Sequence, residues 1–293
     1  MSTLSSVSIK TARRSYSGFG ASVAALARRE FRDALSSRWF ILFTVAFAVL
    51  TIGVSFVSLS GVGSHGFSGF SKTSAGLLNL IMLIVPLMAL IAGAGTIAGE
   101  RERGTLVYLL SQPVSRTEVV LGKYVGLACA LCCSLCLGFA VSAAVIAWRA
   151  GGVGVAAFSL LIATTCALAL AMLAVGLLLS IISRRANVAV GLGLFVWLVA
   201  VFASDLGLMA GTVLFRLRVQ DVFALAIVNP LQAFKMAVIV GMNASLDVLG
   251  PVGAYATQSF GSALPWMLWS VIVLWTVIPL SLGVVLFARK GSI

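Results

Sequence analysis

Charged residues are scarce in this sequence: Asp, Glu, Lys and Arg make up 10% of its 293 residues, against 61% hydrophobic. Soluble domains carry roughly 25% charged residues, so with a mean hydropathy of +1.13 water is excluded as the solvent for most of the chain. Histidine is scarcer still. His65, in the Gly-rich segment from Gly61 to Gly69, is the one imidazole, and without Cys, Asp or Glu beside it no zinc or copper site is expected there. The phosphate-cradling pattern Gly-x-x-x-x-Gly-Lys-[Ser/Thr] is absent, because Gly122-Lys123 is followed by Tyr124 and lacks the upstream Gly. Short alternating strands are missing too, which removes a membrane β-barrel. Met1 to Arg38 holds no continuous apolar stretch, so no cleavable signal peptide is expected. No internal repeat marks inverted halves.

What is present is a set of long apolar runs. Lipid offers backbone groups no hydrogen-bond partner, so such runs must cross it as helices, and a crossing needs roughly 20 residues. Six runs qualify: Trp39 to Ser58, Leu77 to Ala98, Tyr124 to Trp148, Val155 to Ile182, Val188 to Ala210 and Leu264 to Ala288. The expected fold is an all-α membrane protein with six transmembrane helices over residues 39–288. A net charge of +12 would suggest nucleic acid in a soluble protein. Here the cations cluster at the ends of apolar runs, where they read as topology signals and anchors to anionic lipid. Fifteen Lys and Arg fall on the side holding the N-terminus, the loop after the second span and the C-terminal tail, against five on the other. That bias places both termini in the cytoplasm, and the expected location is a bacterial inner membrane.

Residues 1–20 are Ser-rich and basic and are expected to be disordered. Over residues 21–38, Val23, Ala27, Phe31, Ala34 and Leu35 recur at helical spacing while Arg28, Arg29 and Arg32 lie elsewhere on the wheel. This predicts an interfacial amphipathic helix in the cytoplasmic headgroups. Residues 211–263 are expected outside. Within them Val222 to Leu249 is apolar but broken by Asn229-Pro230, Gln232 and Lys235, which predicts short helices at the outer surface. Residues 289–293 form a basic cytoplasmic tail.

The loop over residues 99–123 carries the most specific signal. It reads Gly99-Glu100-Arg101-Glu102-Arg103-Gly104-Thr105-Leu106-Val107-Tyr108-Leu109-Leu110, then Ser111-Gln112-Pro113-Val114-Ser115-Arg116, then Gly122-Lys123. A solvated loop with topology charges would explain the composition alone. The order of residues closely resembles the cytoplasmic coupling loop of ABC-2 type transporter permeases, with its Gly-Glu-Arg-Glu-x-Gly-Thr-Leu run, short Leu-rich helix and Pro-Val-Ser-Arg turn. By that resemblance Glu100, Arg101, Glu102, Arg103, Gly104, Thr105, Leu106, Leu109 and Leu110 would contact cytoplasmic ABC ATPase subunits. ATP and Mg would be held by those partners, with no cofactor and no catalytic residue on this chain.

The second half narrows the likeness, which runs from about Ala25 to the end. Asp205, Asn229-Pro230-Leu231-Gln232-Ala233-Phe234-Lys235, Leu249-Gly250-Pro251-Val252-Gly253 and a last span with Pro279 and a basic tail resemble the permeases of systems that mature the copper sites of nitrous oxide reductase. Lys235 departs from the Arg expected there. The resemblance implies a second copy of the chain as partner, a periplasmic copper-assembly protein docked through Asn229, Pro230, Phe234 and Lys235, and no nucleic acid. Transport of copper or a sulfur species, and force transmission without any cargo, are both compatible with it. A generic exporter of a lipid, peptide or drug would share the coupling loop and need no periplasmic docking surface.

Several intramembrane residues invite function. Cys129, Cys132, Cys133 and Cys136 fall at i, i+3, i+4 and i+7 of the third span, one helical stripe. Soft thiolates select Cu(I), and Cys166 and Met172 in the fourth span are further candidate ligands. Yet the stripe spreads its sulfurs over roughly 10 Å of helix, and Cys also packs as a small apolar residue. Asp205 is a carboxylate near the end of the fifth span. It faces either the bundle interior or, by snorkelling, the outer interface. Pro86 and Pro279 each remove a helix hydrogen bond.

Overall fold

The computed structural model describes residues 18–60, 67–112, 114–150, 155–213, 218–242 and 251–289, with side chains described over 18–53, 76–109, 111–112, 114–144, 158–203, 218–242 and 252–289. His65, the N-terminal extension through residue 17, Leu249-Gly250 and the tail beyond Arg289 lie outside the described residues. Among the described residues the secondary structure is helical throughout: α1 (Phe19–Ser36), α2 (Arg38–Ser60), α3 (Phe67–Glu102), α4 (Thr105–Leu110), α5 (Arg116–Ala150), α6 (Val155–Ile182), α7 (Ala186–Val213), α8 (Val219–Val228), α9 (Pro230–Gly241), α10 (Pro251–Phe260) and α11 (Leu264–Arg289), with a 3-10 turn at Gly261–Ala263 before the last.

By length and composition, five helices are able to cross a bilayer: Gly76–Glu102, Arg116–Ala144, Phe158–Ile182, Ala186–Ala203 and Val252–Arg289. Two bent pairs raise the count to as many as seven among the described residues. Phe19–Ser36 meets Arg38–Gly53 at 66°, and Val219–Val228 meets Pro230–Gly241 at 103°. The first bend sets α1 off from α2.

Helix α6 is the hub. It packs chiefly on α3 and α11, and also on α5, α9 and α7. Its crossing with α3 is a reciprocal glycine contact: a Cβ on Gly93 would sit 2.7 Å from the Leu173 carbonyl oxygen, and one on Gly176 would sit 2.5 Å from that of Leu90. Small residues bring helix backbones together in lipid, where no hydrophobic force drives association. Farther along, Phe139 of α5 stands edge-on to Phe47 of α2 and Phe158 of α6, with ring centroids 5.3 Å and 5.8 Å away. Such pairs add roughly 0.5–1.5 kcal/mol each beyond their burial. Helices α7 and α11 turn bulky apolar side chains outward, Phe195, Phe202, Trp266 and Val273 among them. That surface suits lipid.

The second bend separates two short helices within the broken apolar stretch. Of these, α9 is enclosed by α6, α11, α8 and α7, with nine of its twelve residues buried. Asn229-Pro230 is the corner that turns the chain inward. The Asn229 side chain accepts from the Leu231 N–H at 3.0 Å while Pro230 occupies the first helical position, where its missing N–H costs nothing.

Candidate functional site

The charged end of α3 and the start of α5 form one polar assembly. After Glu102 the chain turns through Gly104, whose φ of +73° is a left-handed conformation that glycine takes without strain. The short helix α4 follows. Helix α5 then begins with a capping box: the Ser115 N–H donates to Glu118 Oε2 at 2.7 Å, and the Glu118 N–H donates to Ser115 Oγ at 3.2 Å. Two donors of the first turn are thereby satisfied.

Six residues of α4 are enough to give it two faces. Leu106 and Leu109 are buried against this chain's own core, which docks the helix onto the body. The outward surface is Val107 and Tyr108, 71% and 73% exposed, together with the exposed Arg103 and Thr105. Leu110 has no described side chain. The sequence-based choice of the leucines as partner contacts therefore falls on the inward face for Leu106 and Leu109. Val107 and Tyr108 lie within the stretch expected to contact the ATPase, but six residues carry too little periodicity to single them out from the sequence.

Glu100 also points inward. Its Oε1 accepts from Lys123 Nζ at 2.7 Å, and the same ammonium donates to Glu30 Oε1 at 2.6 Å. Lys123 is 1% exposed, so the end of α3, the first turns of α5 and the middle of α1 are joined through one buried cation. Burying a charge is costly unless it is paired and hydrogen-bonded, and here two carboxylates compensate one ammonium. The second oxygen of Glu100 has no hydrogen-bond partner among the described residues. Gly122 and Gly126 bracket Lys123 and let α1 approach, with Leu26 and Ala27 against them. The sequence held this signal as Gly-x-x-x-Gly over Gly122 to Gly126, and as an acid, Glu30, three residues beyond the buried Ala27.

The neighbouring charges of the loop bind helix ends. Arg101 donates through Nη1 to the carbonyls of Ser183 and, at 3.5 Å, Ile181, where α6 ends and the helix dipole is negative. Glu102 Oε2 accepts from the Ala186 N–H at 3.0 Å, the first residue of α7, where the dipole is positive. Arg116 donates to the Ala288 carbonyl at 3.4 Å near the end of α11. Each sign matches the helix end it meets. A few residues earlier in α3, Ser180 of α6 accepts from the N–H groups of Ile97 and Ala98 at 2.9 Å and 2.8 Å. The segment from Ile97 to Glu102 is thus bound to α6 and α7 on one side and to α5 and α1 on the other.

The other sequence candidates are dispersed. Phe234 is fully buried in α9, and Pro230 is buried at its start. Asn229, besides its capping contact, donates to the Ala200 carbonyl at 2.7 Å. Pro230 and Phe234 thus pack within the chain, while Asn229 and Lys235 are half-buried. Of the cysteines, Cys129, Cys133 and Cys136 are exposed on the outside of α5, while Cys132 and Cys166 of α6 are half-buried. Among the described residues no three His, Cys, Asp or Glu are placed to hold a metal ion. Asp205 lies on α7 outside the residues with described side chains.

Over residues 24–292 the sequence matches the ABC-2 family transporter protein family. It is 31% identical over 271 residues to the probable ABC transporter permease protein NosY of Stutzerimonas stutzeri, covering 90% of this chain and 97% of that one. It is 29% identical over the same length, with the same coverage, to the protein of that name from Pseudomonas aeruginosa.

Proposed function

The chain belongs to the ABC-2 transporter family and is a permease subunit similar to NosY, and from that premise we propose that a separate cytoplasmic ATPase drives it through α4 and the charged end of α3. The observation that carries this reading is the division of labour within 99–123. Val107 and Tyr108 are free for a partner, while Glu100, Arg101 and Glu102 tie the same segment to α1, α5, α6 and α7. A groove on the ATPase that grips the exposed pair would move five helices together. Hydrolysis, with ATP and Mg, belongs to the partner, and this chain supplies lever and path.

We further assign the chain six spans with both termini in the cytoplasm of a bacterial inner membrane. Here α1 and α2 supply the interfacial helix and first span, and α8 with α9 form a re-entrant pair. The excess of Lys and Arg on one side supports that orientation. The working unit is a pair of these chains with two ATPase subunits, serving copper-site assembly of nitrous oxide reductase through a periplasmic partner. The likeness to NosY along most of both chains supports this assignment.

The test is replacement of Val107 and Tyr108 by Asp and Ala in the full complex. Both side chains are exposed, so the bundle is expected to fold, while ATPase subunits fail to co-purify and copper-site assembly stops. Retention of the ATPase by that variant would remove α4 from the mechanism. Copper-site assembly that persists without this chain, beside lost export of some lipid or peptide, would replace the cargo assignment with a generic exporter and leave the coupling site intact.

A further inference from the structure

Helix α1 carries three arginines that differ in their surroundings. Arg29 pairs with Asp33 one turn on, at 3.7 Å. Arg28 and Arg32, also one turn apart, meet no carboxylate among the described residues. They line an open cavity of about 450 Å³ together with Phe31, Leu35 and Ser36. Side chains at i and i+4 stand about 5–6 Å apart at Cβ, so two long guanidinium groups can converge on one anion between them.

The cavity's position and chemistry say which anion. It lies on the last turns of α1, immediately before the 66° bend into α2, whose first turn exposes Trp39. Trp gathers at the level of lipid headgroups. Two uncompensated cations facing outward at that level, with an exposed leucine and a half-buried phenylalanine beside them, match a phosphate that carries acyl chains. A free phosphate would have no use for the apolar wall. The opposite face of α1 is occupied, since Leu26, Ala27 and Glu30 pack on α5.

We propose that Arg28 and Arg32 form a binding site for the phosphate of an anionic phospholipid, with the chains of that lipid lying along Phe31 and Leu35. Because Glu30, between the two arginines in sequence, is bound to Lys123 and through it to Glu100, an occupied site fixes α1 against the coupling segment. The site rests on the chain lying in a bilayer, and it stands whatever the cargo or ATPase proves to be.

The test is native mass spectrometry of the full-length protein in mild detergent, titrated with phosphatidylglycerol, phosphatidylcholine, glycerol phosphate and inorganic phosphate. Phosphatidylglycerol is expected to bind in preference to phosphatidylcholine. R28Q/R32Q should weaken it by about tenfold or more, the scale of losing hydrogen bonds to a charged group. R184Q/R185Q removes the same charge from another exposed turn and is expected to leave binding unchanged. L35S should weaken phosphatidylglycerol and leave glycerol phosphate unaffected. Equal losses in both double variants would reduce the effect to general attraction and overturn the site. Glycerol phosphate or inorganic phosphate binding as tightly as the lipid would overturn the lipid as its occupant. All these side chains are exposed, and an unchanged size-exclusion profile verifies that the variants fold.

Discussion

Gly126 of α5 lies so close to α1 that a Cβ placed on it would sit 2.5 Å from the carbonyl oxygen of Ala27. That approach brings the carboxylate of Glu30 within 2.6 Å of the Lys123 ammonium, across 93 positions of sequence. Helix proximity comes first and the ion cluster depends on it. Without the glycine, α1 would stand off from α5 and Lys123 would lose one of its two counter-ions.

Gly126→Ala is therefore expected to loosen α1. The obstacle is backbone and not the far end of a flexible side chain, so the helix as a whole must shift, and overpacking of this kind costs about 1–3 kcal/mol. Thermal unfolding in detergent should fall accordingly, and amide exchange over α1 should rise above that over α6. Unchanged exchange in α1 would show that the contact is not a close one.

Lys123→Met removes the single buried cation between two partly buried carboxylates. Breaking a buried ion cluster from one side costs about 3–5 kcal/mol, because the remaining charge is uncompensated. We expect that variant to be poorly folded. Met with E30Q and E100Q removes all three charges, and it should recover most of the loss in a thermal melt. Failure of the triple variant to exceed the single one would mean that the ions are held by something other than one another.

Glu100→Ala and Glu102→Ala separate coupling from folding. Loss of Glu100 leaves Lys123 paired with Glu30 and removes an oxygen that lacks a partner among the described residues, so stability is expected to stay within about 1 kcal/mol of the parent. The end of α3 is no longer tied to α5, however, and ATP turnover in the assembled complex should uncouple from copper-site assembly. Loss of Glu102, an exposed residue whose carboxylate accepts at the start of α7, should cost about 0.3–1 kcal/mol and weaken coupling less than loss of Glu100, because only the tie to α7 is removed. Equal coupling in both variants would exclude the Lys123 cluster from force transmission.

These expectations divide along the line between what the sequence could carry and what it could not. Apolar runs are legible because lipid imposes one rule on every residue in them, and α6 appears at Val155–Ile182 as the hydropathy indicates. For Lys123 the Gly-x-x-x-Gly around it marks a close helix contact, but not which acids fill it, because Glu30 and Glu100 come from helices before α2 and at the end of α3. The surroundings of Gln232 are illegible for a related reason. It is fully buried in α9, and the helices that enclose it, α6 and α11, lie far off in sequence. The coupling loop was legible in its order of residues, while the direction in which each residue points depended on the fold.

Asn229 is the point where that second half can be tested. Its side chain accepts from the Leu231 N–H and donates to the Ala200 carbonyl, so a single amide sets both the start of α9 and its anchorage to α7. Asn229→Ala loses both contacts and is expected to cost about 1–3 kcal/mol, a lost cap plus a lost hydrogen bond. Asn229→Ser keeps a capping oxygen on too short a side chain to reach α7, and should recover only the capping share, about 1 kcal/mol. Thermal melts of the two variants measure the difference directly. If serine restored full stability, the Ala200 contact would carry no weight, and α9 would be held in the bundle by its apolar faces against α6 and α11 alone.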